Sequence, residues 1–230
     1  MTDSKAVAAL AADIAADLAA LGPAARTADL RTVRRAWSRR LKDLPARDMV
    51  ALGLALIHGH DRRWIGYELI HFHRPALAGL TAKDLEAVGR GMASWWAVDG
   101  FGVLLAGHAW RGGRLPDARV HRWARSRDRW WRRAALVATV PLNLRSRGGA
   151  GDAPRTLAVC RLLLDDRDDM VVKAMSWALR ALAVREPEAV RAFLAEAGGR
   201  LAARGRRETL NKLETGLKNP RGGRAAARRK

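Results

Sequence analysis

One cysteine, one tyrosine and three phenylalanines are all that occur of those types in 230 residues, and such scarcities exclude whole classes of protein. Cys160 has no second cysteine to pair with, so neither a disulfide framework nor a cysteine zinc site can form within one chain. No run of about 18 apolar residues occurs, so no membrane-spanning helix is expected. The chain opens Met1-Thr2-Asp3-Ser4 and continues as an amphipathic stretch without the features of a signal peptide, which points to an intracellular, cytoplasmic protein. G-x-x-x-x-G-K-[ST], H-E-x-x-H and the nucleophile elbow are all missing, which leaves a P-loop nucleotide site, a zinc protease and a serine hydrolase unsupported. His58/His60 and His71/His73 stand two apart, a spacing that a helix splays to opposite sides, so no metal or other cofactor is expected.

Carboxylates are in deficit as well. Asp plus Glu number 23 against 43 Lys plus Arg, a formal charge of +20. Such an excess says little about fold, but it attracts polyanions, most simply nucleic acid. A basic surface that serves only solubility is the other reading. Apolar residues make up 49% of the chain, enough for a continuous core in one domain or repeat array.

What is present is helical and periodic. Residues 4–21 carry Asp13 and Asp17 at helical spacing within an Ala/Leu run that stops at Gly22-Pro23. Asp29 to Leu44 predicts a second helix bearing Arg31, Arg34, Arg35, Arg39, Arg40 and Lys42, ended by Pro45. From there a unit recurs. Runs opening at Asp61, Ser94, Asp128 and Asp168 lie 33, 34 and 40 residues apart, and Asp and Ser are good N-caps. Shorter helices are predicted before each, over about 46–57, 81–92, 116–125 and 153–164, with a fifth pair over about 187–197 and 205–217 led by Pro187. Helix pairs at this period, with no strand alternation, indicate an all-α fold: a HEAT-like α-solenoid of about six helix pairs with a concave basic surface. A plain helical bundle is the alternative. A single domain over residues 1–217 is expected, with an N-terminal pair at 1–44 and a repeat array at 45–217. Residues 218–230, with six basic residues and no acidic one, predict a disordered basic tail.

The chemistry centres on Ser94-Trp95-Trp96-Ala97-Val98-Asp99. Trp95 and Asp99 are four apart, about 40° apart on one helix face. An indole face beside an anion is where a positive charge can rest. Five residues past each start lie Gly66, Asp99, Arg133 and Lys173, which the repeat register assigns to one surface, with Asp99 beside Arg133. Asp99 then either awaits a cationic centre carried by a polyanion or is an ion-pair partner of Arg133. Residues 111–133 hold nine arginines interleaved with Trp123, Trp130 and Trp131. These form either a phosphate-binding patch or a solvated face over core tryptophans. The segment Asn143 to Pro154, rich in Gly and Arg, reads as a long flexible loop, either reaching the DNA backbone or merely disordered. No second carboxylate stands close to Asp99 in sequence; folding would have to bring one in, for example Glu68 or Glu86, and nothing in the spacing says so.

Three blocks carry a resemblance to the AlkD-type DNA alkylation-repair glycosylases, which are HEAT-like solenoids; the likeness runs over about residues 46–220. Trp95-Trp96-Ala97-Val98-Asp99 is similar to the family's segment in which a catalytic Asp follows a Trp by four residues. Trp130-Trp131-Arg132-Arg133-Ala134-Ala135 puts Arg133 on the family's backbone-contacting arginine. Lys173-Ala174-Met175-Ser176-Trp177-Ala178-Leu179-Arg180 puts Trp177 on its second active-site tryptophan. The resemblance implies a DNA glycosylase of base excision repair that hydrolyses cationic alkylated purines, such as 3-methyladenine and 7-methylguanine, from duplex DNA without flipping the base. It implies Asp99, Trp95 and Trp177 as catalytic residues, and Arg133, Lys173, Arg132 and Arg180 as DNA-binding ones. Cofactors are none, and the partner is double-stranded DNA containing alkylated bases, bound by a monomer associated with the nucleoid. A non-catalytic HEAT-like protein that binds DNA or branched nucleic acid is the alternative. Trp96 and Trp130 are assigned to packing. The Ala- and Arg-rich N-terminal pair and the length of 143–154 depart from the family pattern.

Overall fold

The computed structural model describes residues 4–220, so most of the expected basic tail, from 221 onward, lies outside the described residues. Among the described residues there is no strand. The helices are α1 (Ser4–Ala20), α2 (Thr27–Arg40), α3 (Ala46–Gly59), α4 (Arg63–Phe72), α5 (Arg74–Gly79), α6 (Ala82–Gly89), α7 (Trp95–Phe101), α8 (Gly107–Arg111), α9 (Asp117–Ala124), α10 (Arg129–Val137), α11 (Val140–Asn143), α12 (Ala153–Leu162), α13 (Asp169–Ala183), α14 (Pro187–Ala197) and α15 (Ala203–Thr215). The fold is all-helical and is built as HEAT-like repeats, as the periodicity predicts.

Local chemistry sets the boundaries. Ser94 caps α7, its hydroxyl accepting from the Ala97 N–H; Asp128 caps α10 through Trp130 N–H, and Asp168 caps α13 through Met170 N–H. Such caps each contribute about 1 kcal/mol. Pro187 stands in the first turn of α14, where its missing N–H costs nothing. Asp61 is the exception among the predicted starts. It adopts φ +51, Arg62 takes the N-cap position, and α4 begins at Arg63 without a side-chain cap. An aspartate tolerates the left-handed region because its short side chain crowds the backbone little.

The chain divides into two compact units, one ending at Trp123 and the other beginning at Ala124. In the first, α1 packs on α3 and α3 on α6, while α2 packs on α4 and α4 on α7, giving two layers of helices. Ile14, Leu52, Leu56, Ile70 and Leu85 are fully buried between them, each contributing about 1.5–3 kcal/mol by leaving water. Gly53 and Gly66 let α3 and α4 approach closely: a Cβ on Gly66 would meet the Gly53 carbonyl at 2.9 Å. In the second unit, α10, α13 and α15 pack in series, and α12 packs on α13 and α14.

Within each unit a ladder of ion pairs ties successive repeats together. Arg34–Glu68, Arg47–Asp84 and Arg119–Glu86 in the first unit, and Arg129–Asp168, Arg132–Asp166, Arg161–Glu196, Arg200–Asp165 and Arg204–Asp169 in the second, join residues 33 to 39 positions apart. The separation is one repeat length, so each pair links equivalent places on successive repeats.

The segment expected as a flexible loop is pinned. Asn143 is fully buried; its amide donates to the Thr139 carbonyl and to Thr156 Oγ1, and its oxygen accepts from Asp152 N–H. Arg145–Arg147 forms a short 3-10 turn, and Gly149 lies so near Leu142 that a Cβ would stand 2.5 Å from its carbonyl. Composition suggested freedom because glycine is common in loops; here glycine serves close approach.

Candidate functional site

Helix α7 presents the predicted residues of the first unit. Ser94 starts the helix, so Trp95 and Trp96 stand in its first turn and Asp99 one turn on, the three sharing an arc of about 100°. Ala97, Val98 and Phe101 turn the other way and are buried. Trp95 is 58% exposed and Trp96 50% exposed, an unusual state for the largest apolar side chain, while Asp99 is half-buried.

The support behind α7 is rigid. Tyr67 is buried, its ring 6.3 Å from that of Phe101, and a Cβ on Gly100 would touch it at 3.2 Å. Arg63 donates to the Tyr67 hydroxyl and to the carbonyls of Val88 and Arg90, joining α4 to the segment that leads into α7. Burial pushes the Tyr67 phenol above its ordinary range, with the Arg63 charge opposing it. Immediately after α7 the backbone forms a π-helical turn over Gly102–Ala106. Such a turn frees carbonyls from the regular ladder, and His71 Nδ1 donates to the Leu104 carbonyl at 2.8 Å.

Neither candidate second carboxylate is at liberty. Glu68 is buried against Arg34 at 3.0 Å, and Glu86 binds Arg119 and Arg122. Gly66, grouped with Asp99 by the repeat register, lies buried in the α3–α4 contact instead, because α4 starts later than its repeat position predicts.

In the second unit α13 carries Lys173, Trp177 and Arg180 at a spacing of four and three, one stripe of the helix. All three are half-buried. Lys173 pairs with Asp169 at 2.5 Å, which holds the Asp169 carboxyl below its ordinary range, and its ammonium keeps further donors. Arg180 Nε donates to Ser176 Oγ, which donates in turn to the buried carboxylate of Glu208. Burial pulls the Arg180 guanidinium below its ordinary value, against the pull of Glu208. Arg132 binds Asp166 at 2.7 Å and two carbonyls of the turn before α10. Arg133 is only 5% exposed and donates to the Met170 carbonyl, linking α10 to α13.

Trp96, which the sequence assigns to packing, stands half exposed. With Trp64, Asp61, Arg62, Leu18 and Pro23, Trp96 lines a cavity of about 430 Å³. A signal was there: Trp64 and Trp96 are separated by 32 residues, close to one repeat. Trp130 is half-buried, with the Arg129 guanidinium 5.0 Å above its ring. No group of three or more His, Cys, Asp or Glu able to hold a metal ion occurs among the described residues, and none of their helices is long and apolar enough to cross a membrane.

The family model described as DNA alkylation repair enzyme matches residues 4–213. No curated protein and no solved structure matches the chain.

Proposed function

The chain belongs to the DNA alkylation repair enzyme family, and from that premise we propose that it is an AlkD-type DNA glycosylase. Its substrates are cationic N3- or N7-alkylated purines in duplex DNA, hydrolysed from deoxyribose without base flipping as the first step of base excision repair. The observation that carries this reading is the pairing on one capped helix of an exposed indole, Trp95, with the Asp99 carboxylate on the same face.

Alkylation makes the purine cationic and hence a good leaving group, so no general acid is required. That fits a site whose nearest candidates for a second carboxylate, Glu68 and Glu86, are held by arginines. As the C1′–N bond breaks, its electron pair leaves with the base and positive charge develops on the sugar. Asp99 stabilises that charge and orients the water that adds to C1′, whose proton passes to solvent. A charge aimed at the developing centre is worth roughly 3–4 kcal/mol, by analogy with loss of an oxyanion-hole donor. Trp95 offers a π-face to the cationic lesion and sugar, at about 0.5–2 kcal/mol, and Trp177 is the other indole to which the family resemblance gives that role. Lys173 keeps donors for a phosphate. Arg133, buried in the free protein, has its Met170 contact to give up before it reaches one, and Arg132 and Arg180 likewise have ladder or core partners to give up. Work on chromosomal DNA implies the cytoplasm, in association with the nucleoid.

The test is release of base from duplex DNA containing N7-methylguanine, with protein in excess. Time-dependent appearance of free 7-methylguanine and an abasic site is the expected result. Tight binding with no release at any protein concentration supports instead the non-catalytic DNA-binding alternative.

A further inference from the structure

The +20 charge of the chain is not evenly available. Most arginines with a carboxylate partner belong to the repeat-to-repeat ladder, where a carboxylate already offsets their charge. Helix α2 breaks that rule. Arg31, Arg35 and Arg39 recur every four residues, forming a single ridge, and all three are exposed. Arg31 and Arg39 have no hydrogen bond or carboxylate partner among the described residues, and Arg35 donates only to Thr32 Oγ1 one turn away.

The register explains why. A ladder partner lies 33 to 39 positions on or back. Upstream, the only carboxylate at that distance from any of the three is Asp3, outside the described residues. Downstream, the stretch for Arg31 is 64–70, whose one carboxylate, Glu68, is held by Arg34. For Arg35 and Arg39 the corresponding stretches hold no carboxylate other than Glu68. The other arginines of the helix are otherwise employed: Arg34 also lies 3.9 Å over the Phe72 ring, and Arg40 lies 4.1 Å over that of Trp37. Three like charges left side by side repel one another by a few tenths of a kcal/mol per pair, a cost with no structural return in the free protein. An anion with several charges in a row removes it. Helix α2 packs on α4 and α4 on α7, so the ridge belongs to the same layer as Trp95 and Asp99.

We propose that Arg31, Arg35 and Arg39 of α2 form a phosphate-tracking ridge that grips the sugar-phosphate backbone of duplex DNA, independently of any lesion. From Arg31 to Arg39 the helix rises about 12 Å, and one strand of B-DNA offers a phosphate roughly every 3.4 Å of its axis. The ridge therefore covers a run of about four phosphates, shared among three guanidiniums. The planar fork of arginine suits a phosphate bidentately. Because the contact is with the backbone alone, it adds affinity and positioning without base preference.

This inference rests on the DNA-directed reading above, and its test separates the two. Binding to undamaged duplex is measured as a function of salt for the wild type, for R31A/R35A/R39A, for R31K/R35K/R39K, and for a comparator of equal charge loss, R185A/R191A/R207A, with thermal melts confirming that each is folded. Each lost phosphate contact lowers the log–log slope by about 0.9, so the alanine triple is expected to lose about 2–3 units, the lysine triple less than about half a unit, and the comparator clearly less than the alanine triple. A slope for the folded alanine triple equal to that of the wild type overturns the ridge. So does a lysine triple that loses the slope, or a comparator that loses as much. A wild type with no steep salt dependence at all sinks the DNA-directed reading itself.

Discussion

Arg34 Nε and Glu68 Oε2 meet at 3.0 Å across two successive repeats, with both side chains about nine-tenths buried. A pair this buried gains little over an apolar pair, but breaking it strands one charge. Glu68→Gln is expected to destabilise the protein by about 3 kcal/mol, read from denaturant unfolding with an unchanged m-value. The double replacement Arg34→Met with Glu68→Leu is expected to cost much less than the single change. A double variant as unstable as the single one would show that the cost lies in packing and not in the orphaned charge.

How much of this was written in the residues differs from place to place. Ser94, Asp128 and Asp168 each announced a helix start through local chemistry that needs no tertiary context, and each caps the helix it preceded. Asp61 looked equivalent, yet it takes a left-handed backbone conformation and Arg62 stands at the N-cap in its place. The exposed Trp95 and half-buried Asp99 follow from a spacing of four on a helix. The ladder does not. An arginine finds its carboxylate one repeat away only after the repeats stack, so Arg132 reads as a free cation from sequence while folding pairs it with Asp166. The same blindness hid the anchoring of Asn143, whose partners lie four to thirteen residues off in a segment that composition marks as loose.

Asn143 carries that anchoring. It satisfies three polar groups, two of them buried with it, and its loss leaves Thr156 Oγ1 and the Asp152 N–H to find other partners, while the Thr139 carbonyl keeps the Leu142 N–H. Asn143→Ala is expected to cost about 1–3 kcal/mol. Hydrogen exchange gives the sharper reading, with protection falling over residues 142–156 before the rest of α12. Protection lost evenly over the whole second unit would show that the segment is no local anchor.

Cys160 gives a pH prediction with a definite sign. Full burial pushes its thiol from an ordinary 9.0 up to about 12, with the Arg161 charge only partly opposing. The folded state therefore keeps its proton where the unfolded chain has lost it, so folding stability is intact below pH 9 and falls between pH 9 and pH 12. The slope is about 1.4 kcal/mol per pH unit from this group. Cys160→Ala is expected to remove that component, so the stability difference between wild type and variant should narrow as pH rises from 9 to 10.5. Thiol-directed reagents should also label the native protein only at the rate at which it opens. Rapid labelling of folded protein at neutral pH would contradict the burial.

Asp99→Asn tests the chemistry with the least change in shape. The amide keeps the size of the carboxylate but carries no charge for a sugar turning cationic. Excision of 7-methylguanine under single-turnover conditions is expected to fall by about 10²–10³, while affinity for undamaged duplex changes little or rises slightly as one repelling anion is removed. Trp95→Ala is expected to cost less, about 2- to 30-fold, in keeping with one cation–π contact, and the loss should appear with cationic lesions and not with a neutral abasic product. The two effects separate the roles: an anion acting on the transition state moves the rate, and an indole face recognising a standing charge moves discrimination. If Asp99→Asn excised at close to the wild-type rate, the charge that drives departure of the base would have to come from elsewhere, and the pairing on α7 would be a binding feature only.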